Sequence, residues 1–211
     1  MNFRCPIHIV LSVLMVGLLT APCLATDYNE AISGDLSNSG LTPTSIGSLT
    51  LGANSVLGTT GRGGNGLDRD YFTFTVPANF TLVSMTELSG TTVGGDVSFI
   101  GVQAGNKVTV GTNPTSAAGL LGWTHYGVAD INVDILPRMG VPSFGSTGFT
   151  TPLSAGNYAF WVQDFNVGVF TYGFRLGVQA VPEPGSLALF TGLGVGGSLL
   201  TFSRLKRRRI V

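Results

Sequence analysis

Between Asp70 and Pro77 the chain reads Asp-Tyr-Phe-Thr-Phe-Thr-Val-Pro, with Phe72, Phe74 and Val76 alternating against Tyr71, Thr73 and Thr75. Successive side chains of an extended strand point to opposite faces, so this period of two gives one apolar and one mixed face, as in a half-buried antiparallel strand. Pro77 ends it, because proline has no N–H to donate to a neighbouring strand. Phe170, Tyr172, Phe174 and Leu176 make a second strict alternation. Leu82 to Met85, Val97 to Val102, Lys107 to Val110, Ile131 to Ile135 and Tyr158 to Gln163 are short, β-branched or aromatic, and fenced by Gly, Asn, Pro or Ser. Ser48 to Leu51 and Ser55 to Leu57 add weaker strands around a Gly-Ala-Asn turn, while 112–122 and 139–151 read as longer loops. No stretch from Thr26 to Ala180 carries a 3.6-residue period. About eight strands at this spacing predict an all-β fold, an antiparallel sandwich or barrel. The 31 glycines, with abundant Thr and Ser, fit strands and turns.

Both termini stand apart from this pattern. Residues 1–25 read as a secretory signal peptide: Arg4 and the amino terminus supply positive charge, Ile9 to Leu19 an apolar stretch, and Cys23-Leu24-Ala25 a cleavage site. A lipoprotein reading would use Cys23 as lipid acceptor, and Pro22 before it fits poorly. The chain's 2 cysteines, Cys5 and Cys23, leave with the signal, so the mature chain has no disulfide and no thiol ligand or nucleophile. Residues 26–180 suit one domain with one core. That span carries ten acids against five bases, a balance of −5, although the whole chain sums to +0. Such a balance argues against nucleic acid as a partner and is compatible with cation binding.

From Gly185 to Ser203 no residue is charged, and at about 1.5 Å of rise each these residues span roughly the 30 Å of a bilayer core. The run is apolar or small all round, which favours a transmembrane helix over a buried C-terminal helix. Arg204, Lys206, Arg207, Arg208 and Arg209 follow at once, and cations of this kind stay on the cytoplasmic side. Gly192 and Gly196 form a small-xxx-small pair that packing or chance explains better than a dimer seam. Ahead of the run, Pro182 and Pro184 hold Val181-Pro-Glu-Pro184 extended, with Glu183 as one charged handle at the outer boundary. The expected organisation is a signal peptide (1–25), an ectodomain (26–180), a sorting motif (181–184), a transmembrane helix (185–203) and a basic cytoplasmic tail (204–211).

Two family resemblances follow. The Pro182-Glu183-Pro184 motif, the apolar helix and the Arg-rich end together resemble a PEP-CTERM sorting signal. The resemblance implies export, an exosortase-type membrane cysteine protease as partner, a Gram-negative host that makes exopolysaccharide, and a destination at the cell surface or outside. The stretch "LDRDYFTFTVPANFTLVSM", with "SLTLGANSVLGTT" before it and "LSAGNYAFWVQDFNVGVFTYGFRLGV" after it, resembles the bacterial pre-peptidase C-terminal type of domain. That resemblance covers roughly residues 30 to 178 and implies a jelly-roll-like β-sandwich.

For chemistry the mature span offers little. It has one histidine, His125, and no Gly-x-Ser-x-Gly elbow; Gly145-Ser-Thr-Gly148 has the wrong spacing. One imidazole and no thiol do not make a zinc site. Gly63-Gly-Asn-Gly-Leu-Asp68 matches the first six places of the calcium-binding β-roll nonapeptide, but Asp70 stands where a large apolar residue belongs and there is one copy, which rules out a β-roll. Asp68 and Asp70, alternating at the mouth of a strand with Asn65 nearby, remain candidate oxygen ligands for one Ca²⁺; the competing reading is a Gly-rich hairpin whose acids pair with Arg62 or Arg69. Trp123, Tyr126 and Trp161 are the aromatic faces on which a sugar would stack. Trp161 lies in an alternating strand and is expected to be at least half buried, which leaves Trp123, in a loop beside His125, as the glycan candidate. Asn79-Phe80-Thr81 matches a glycosylation sequon but reads as the turn after Pro77. The sequence therefore predicts a non-enzymatic, secreted surface or matrix β-sandwich without a cofactor, the alternative being a carbohydrate- or calcium-binding module.

Overall fold

The computed structural model describes residues 25–64, 66–112 and 115–182. The signal peptide up to residue 24, Asn65, Glu183, Pro184, the 185–203 segment and the cationic cluster lie outside the described residues; Pro182 is exposed. Among the described residues no helix is long and apolar enough to cross a membrane.

The fold is all-β. Its strands are β1 (Asp27–Asn29), β2 (Thr44–Ser48), β3 (Gly52–Gly63), β4 (Gly66–Val76), β5 (Phe80–Glu87), β6 (Ser98–Ala104), β7 (Gly122–Tyr126), β8 (Gly156–Gln163) and β9 (Phe170–Ala180), with single-turn helices α1 (Glu30–Ser33) and α2 (Leu136–Met139). One curled sheet runs β5-β9-β3-β4-β8-β6-β7, with β1 alongside β3 and β2 alongside β4. The β3–β4 hairpin pairs Gly61 with Asp68 and joins two layers, β1/β3/β9/β5 and β2/β4/β8/β6/β7. Val56, Leu82, Met85, Phe174 and Leu176 of the first layer meet Phe72, Phe74, Ile100, Val102 and Phe160 of the second in one core. Tyr126 and Phe174 close it across the layers, edge to face with centroids 5.1 Å apart. The apolar phase of the 70–76 alternation supplies this core.

The other phase is not solvent-facing, as a half-buried strand would require. Tyr71 and Trp161 are paired across β4 and β8 and, with Val108, Ala117, Ala159 and Leu120, form a second apolar cluster on the outer face of the second layer. Residues 105–112 and 115–121 cover that face, pinned where the Val108 N–H donates to the Gly40 carbonyl at 2.8 Å.

Other expectations shift in the same way. Lys107 to Val110 is loop, because its backbone is spent on Gly40. Ile131 to Ile135 contributes only isolated bridges to Thr86 and Glu87. Residues 123–126 are strand β7 and not loop, because β6 offers an antiparallel edge that pairs Gly101 with Trp123. Two short pairings, β1 with β3 and β2 with β4, are parallel, since the N-terminal segment runs back along the sandwich beside longer strands. Asn79 takes a left-handed φ of 67° in the turn after Pro77, as the sequon's turn reading expects.

Candidate functional site

The alternation that builds the core also carries Asp70 inward, on the same face as Phe72 and Phe74. Asp70 is 0% exposed. Its Oδ2 accepts a 2.7 Å hydrogen bond from the Tyr172 hydroxyl of β9, and its Oδ1 has no partner. Gly58 of β3 makes the arrangement possible. A Cβ there would stand 2.6 Å from the Tyr172 hydroxyl and 3.0 Å from Asp70 Oδ2.

The N-terminal segment brings two more carboxylates to the same place. Asn29 caps α1, its Oδ1 accepting from the Ala31 N–H at 3.0 Å, which sets Glu30 at the first helical position. Glu30 Oε1 accepts from the Leu36 N–H at 2.9 Å, and Oε2 from the Thr59 N–H at 2.7 Å. Leu36 is buried in the core and holds the segment down. Asp35 is its neighbour and is exposed. One oxygen each of Glu30, Asp35 and Asp70 lie within 4.8 Å of one another.

The electrostatics are those of acids lacking a counter-charge. Burial, and then the Glu30 carboxylate, push the Asp70 carboxyl up to about 9. Glu30 is also raised, chiefly by burial, against the lowering effect of the Leu36 and Thr59 N–H groups. Among the described residues the salt bridge present, Arg138 to Asp130 at 2.8 Å, lies elsewhere. Three carboxylate oxygens gathered this closely, with backbone carbonyls and water to complete the shell, are the hard ligands a divalent cation such as Ca²⁺ takes.

Of the three calcium candidates read from the sequence, the structure places Asp70 in this acidic cluster beside Glu30 and Asp35. Asp68 shares the face of Asp70 but sits at the rim, accepting from Asn38 Nδ2 at 3.1 Å; burial raises its carboxyl. Asn65 lies outside the described residues. Nor do the acids pair with arginine: Arg62 Nε donates to the Phe165 carbonyl and Arg69 Nε to Gln163. Sequence reasoning missed Glu30 and Asp35. The available signals were the Asn-Glu start of a helical turn ahead of the strands, and an acid on the apolar phase of a core strand.

The glycan candidate Trp123 is on β7, where its ring stacks on Phe99 at 5.9 Å and meets the edges of His125 and Phe144. Its indole N–H donates to the Ser143 carbonyl at 3.2 Å. Trp161 is 4% exposed, as its alternating strand predicted. His125 is exposed and held below its usual range by burial and by Arg138.

No protein-family model matches the chain, and no curated protein matches it. Among solved structures, the pre-peptidase C-terminal domain of collagenase from Bacillus anthracis matches at 16% identity with a TM-score of 0.29, covering 64% of this chain and 93% of that one. A superposition that loose does not bear on what the site does.

Proposed function

We propose that this chain is a non-enzymatic, exported β-sandwich protein of the cell surface or extracellular matrix, whose ectodomain is clamped by one Ca²⁺ held between its N-terminal segment and β4. The observation that carries the calcium reading is the gathering of Glu30, Asp35 and Asp70 within 4.8 Å around a buried carboxylate oxygen without a partner. An isolated buried carboxylate costs several kcal/mol unless it is neutralised, and three together ask for a cation. The ion would tie residues 30–35 to the core, a structural use. Titrating the detergent-solubilised chain with Ca²⁺ while following its melting temperature tests this: a saturable rise is expected, and none at millimolar calcium overturns it.

Export and sorting rest on the terminal sequences: the signal peptide, Pro182-Glu183-Pro184, the 185–203 span and the cationic end. They support cleavage by an exosortase-type protease and association with exopolysaccharide. Mass spectrometry of the C-terminus from the native host is the test. A terminus near Pro184 is expected, and an intact Val211 overturns it.

A further inference from the structure

The strand register gathers five loops, and the exit of the chain, at one end of the sandwich. In the first layer Gly52 opens β3 opposite Val178 of β9, and Phe80 opens β5 opposite Ala180. In the second layer Val76 closes β4 opposite Gly156, and Ala104 closes β6 opposite Tyr158. The layers join there through the 77–79 turn and the Leu49 N–H, which donates to the Thr75 carbonyl at 2.8 Å. The chain leaves by the same end, held to its last described residues: the Val181 N–H donates to the Asn79 carbonyl at 2.7 Å.

Charge divides the two ends. The loops at the exit, 49–52, 77–80, 104–107, 154–157 and 179–182, contain no acid and one cation, the exposed Lys107. Leu51 and Val181 are 53% and 46% exposed there, and Phe80 is half-buried. Asp27 stands back from these loops on β1, opposite Ser55. At the far end Asp68 pairs with Gly61, Asp35 borders Gly63 and Gly64, and Asp96 and Asp164 lie just before β6 and just after β8. The domain thus carries most of its excess of acids away from the exit.

The tether limits what can lie against the exit end. Val181 is pinned, and Pro182, Glu183 and Pro184 separate it from the apolar run that begins at Gly185. The chain from Val181 to Gly185 reaches about 14 Å at most, and the headgroup layer takes about 5–8 Å of that. The remaining gap is too thin for another layer of protein, since packed sheets need about 10 Å. Within it, screening is weak over a Debye length of about 8 Å, so anionic headgroups repel acids and attract lysine.

We propose that the exit end of the sandwich docks on the lipid surface, with Leu51, Phe80 and Val181 at the headgroups and Lys107 on anionic lipid. The proposal goes beyond the calcium reading and rests on the membrane span at 185–203 for its tether. It sets the domain upright on the bilayer. The 12 residues of β3, at about 3.3 Å each, place the far end about 40 Å out, and with it the 83% exposed Val167.

The test uses the full chain with its 2 cysteines, Cys5 and Cys23, replaced by serine. It is inserted in vesicles of phosphatidylcholine with anionic phosphatidylglycerol and a headgroup-nitroxide lipid. A fluorophore on Leu51→Cys is expected to be quenched at least about threefold more than one on Val167→Cys, because the two stand on the order of 40 Å apart along the sandwich. Equal quenching, or more at Val167→Cys, overturns the docking. Lys107→Glu together with Ala78→Glu, both at exposed positions, places acids on the exit end and is expected to lower quenching at Leu51→Cys. Quenching that does not change means that the tether alone holds the domain near the bilayer, which also overturns the docking. Melting curves confirm folding, and the labelled pair carries the test if the double variant does not fold. Flotation with the vesicles separates this from the span reading. A chain that floats, and ceases to float with Leu193→Arg and Val195→Arg, supports the span, so a failed quenching contrast in it counts against the docking alone. A chain whose flotation does not depend on that run overturns the span and the docking that rests on it.

Discussion

Asp70 of β4 and Glu87 of β5 are both 0% exposed, yet the charges around them differ. Around Asp70 the neighbouring charges are Glu30, Asp68 and Asp35, and its carboxyl is driven up to about 9 by burial and then by Glu30. Neither carboxylate oxygen of Glu87 makes a hydrogen bond. Burial pushes it up to about 7, Asp130 adds to the rise, and Arg138 opposes it. Arg138 is itself paired to Asp130 through two nitrogens, at 2.9 and 2.8 Å. Burial alone makes a carboxyl neutral, and a neutral acid needs no partner ion. Burial among further acids with no cation in reach leaves a charge that protonating one group does not remove. On the calcium proposal that contrast separates Asp70, which stands among further acids, from Glu87, which stands between Asp130 and Arg138.

The largest effect expected from the contrast is on calcium. Saturation at about a thousand times Kd stabilises the folded chain by about 4 kcal/mol, a rise in melting temperature on the order of 10 °C for a domain of this size. Asp70→Asn keeps the shape, removes the ligand charge and is expected to abolish the rise. An equal rise in that variant would place the ion elsewhere. Glu87→Gln should leave the full calcium response.

Next comes pH in the presence of chelator. The unfolded chain releases the Asp70 proton near the ordinary value of about 4, the folded chain only at about 9. The folded state therefore holds more protons across that window, and stability falls as pH rises, by at most about 1.4 kcal/mol per unit from this group. Asp70→Asn removes that slope, and saturating calcium reverses it, because the ion binds the deprotonated site. A wild-type chain whose chelated stability is flat from pH 5 to pH 8 would refute the account of Asp70.

Glu87 gives a smaller effect with the same sign. Its folded-state value of about 7 makes its contribution fade between about pH 4 and pH 7. Glu87→Gln cannot ionise, so its stability relative to wild type should improve by about 2–3 kcal/mol between pH 5 and pH 8, most of it below pH 7. Calcium should change neither number.

How much of this a sequence can carry follows from which interactions are local. The period-two alternation of 70–76 and 170–176 is a local property, and the core placed Phe72, Phe74, Phe174 and Leu176 where that phase required. The same phase pointed Asp70 inward, so the buried acid was visible in principle. What covers the Tyr71 face is not local. Gly40 and Val108 are far apart in the chain and meet through one backbone hydrogen bond, so no window of sequence contains the reason that β4 is buried on both sides. Trp123 was misplaced in a loop for a related reason: β7 is five residues long, and its partner β6 supplies the pairing that makes it a strand. Glu30 and Asp35 escaped because the loop motif at 63–68 looked like a metal signature, while the real gathering needs the N-terminal segment to fold back along β3 and β4.

Asp68→Asn is the smallest perturbation and separates the motif from the site. Asp68 lies two residues before Asp70 on the same face of β4, and a ligand set read from the Gly-Gly-Asn-Gly-Leu-Asp stretch would lose a ligand with it. In the fold its Oδ1 instead holds Asn38 Nδ2 at the rim, next to where Asn38 Oδ1 accepts from the Arg69 N–H at 2.7 Å. An asparagine keeps an acceptor oxygen for Asn38, so the stability change should stay within about 0.5 kcal/mol, as for surface substitutions generally. The calcium midpoint should stay within about twofold, since Asp68 stands outside the three gathered oxygens and acts on the ion only at a distance. A tenfold weaker midpoint in Asp68→Asn would return Asp68 to the ligand shell, move the ion outward along β4, and erase the distinction between a buried acid with acidic company and one without.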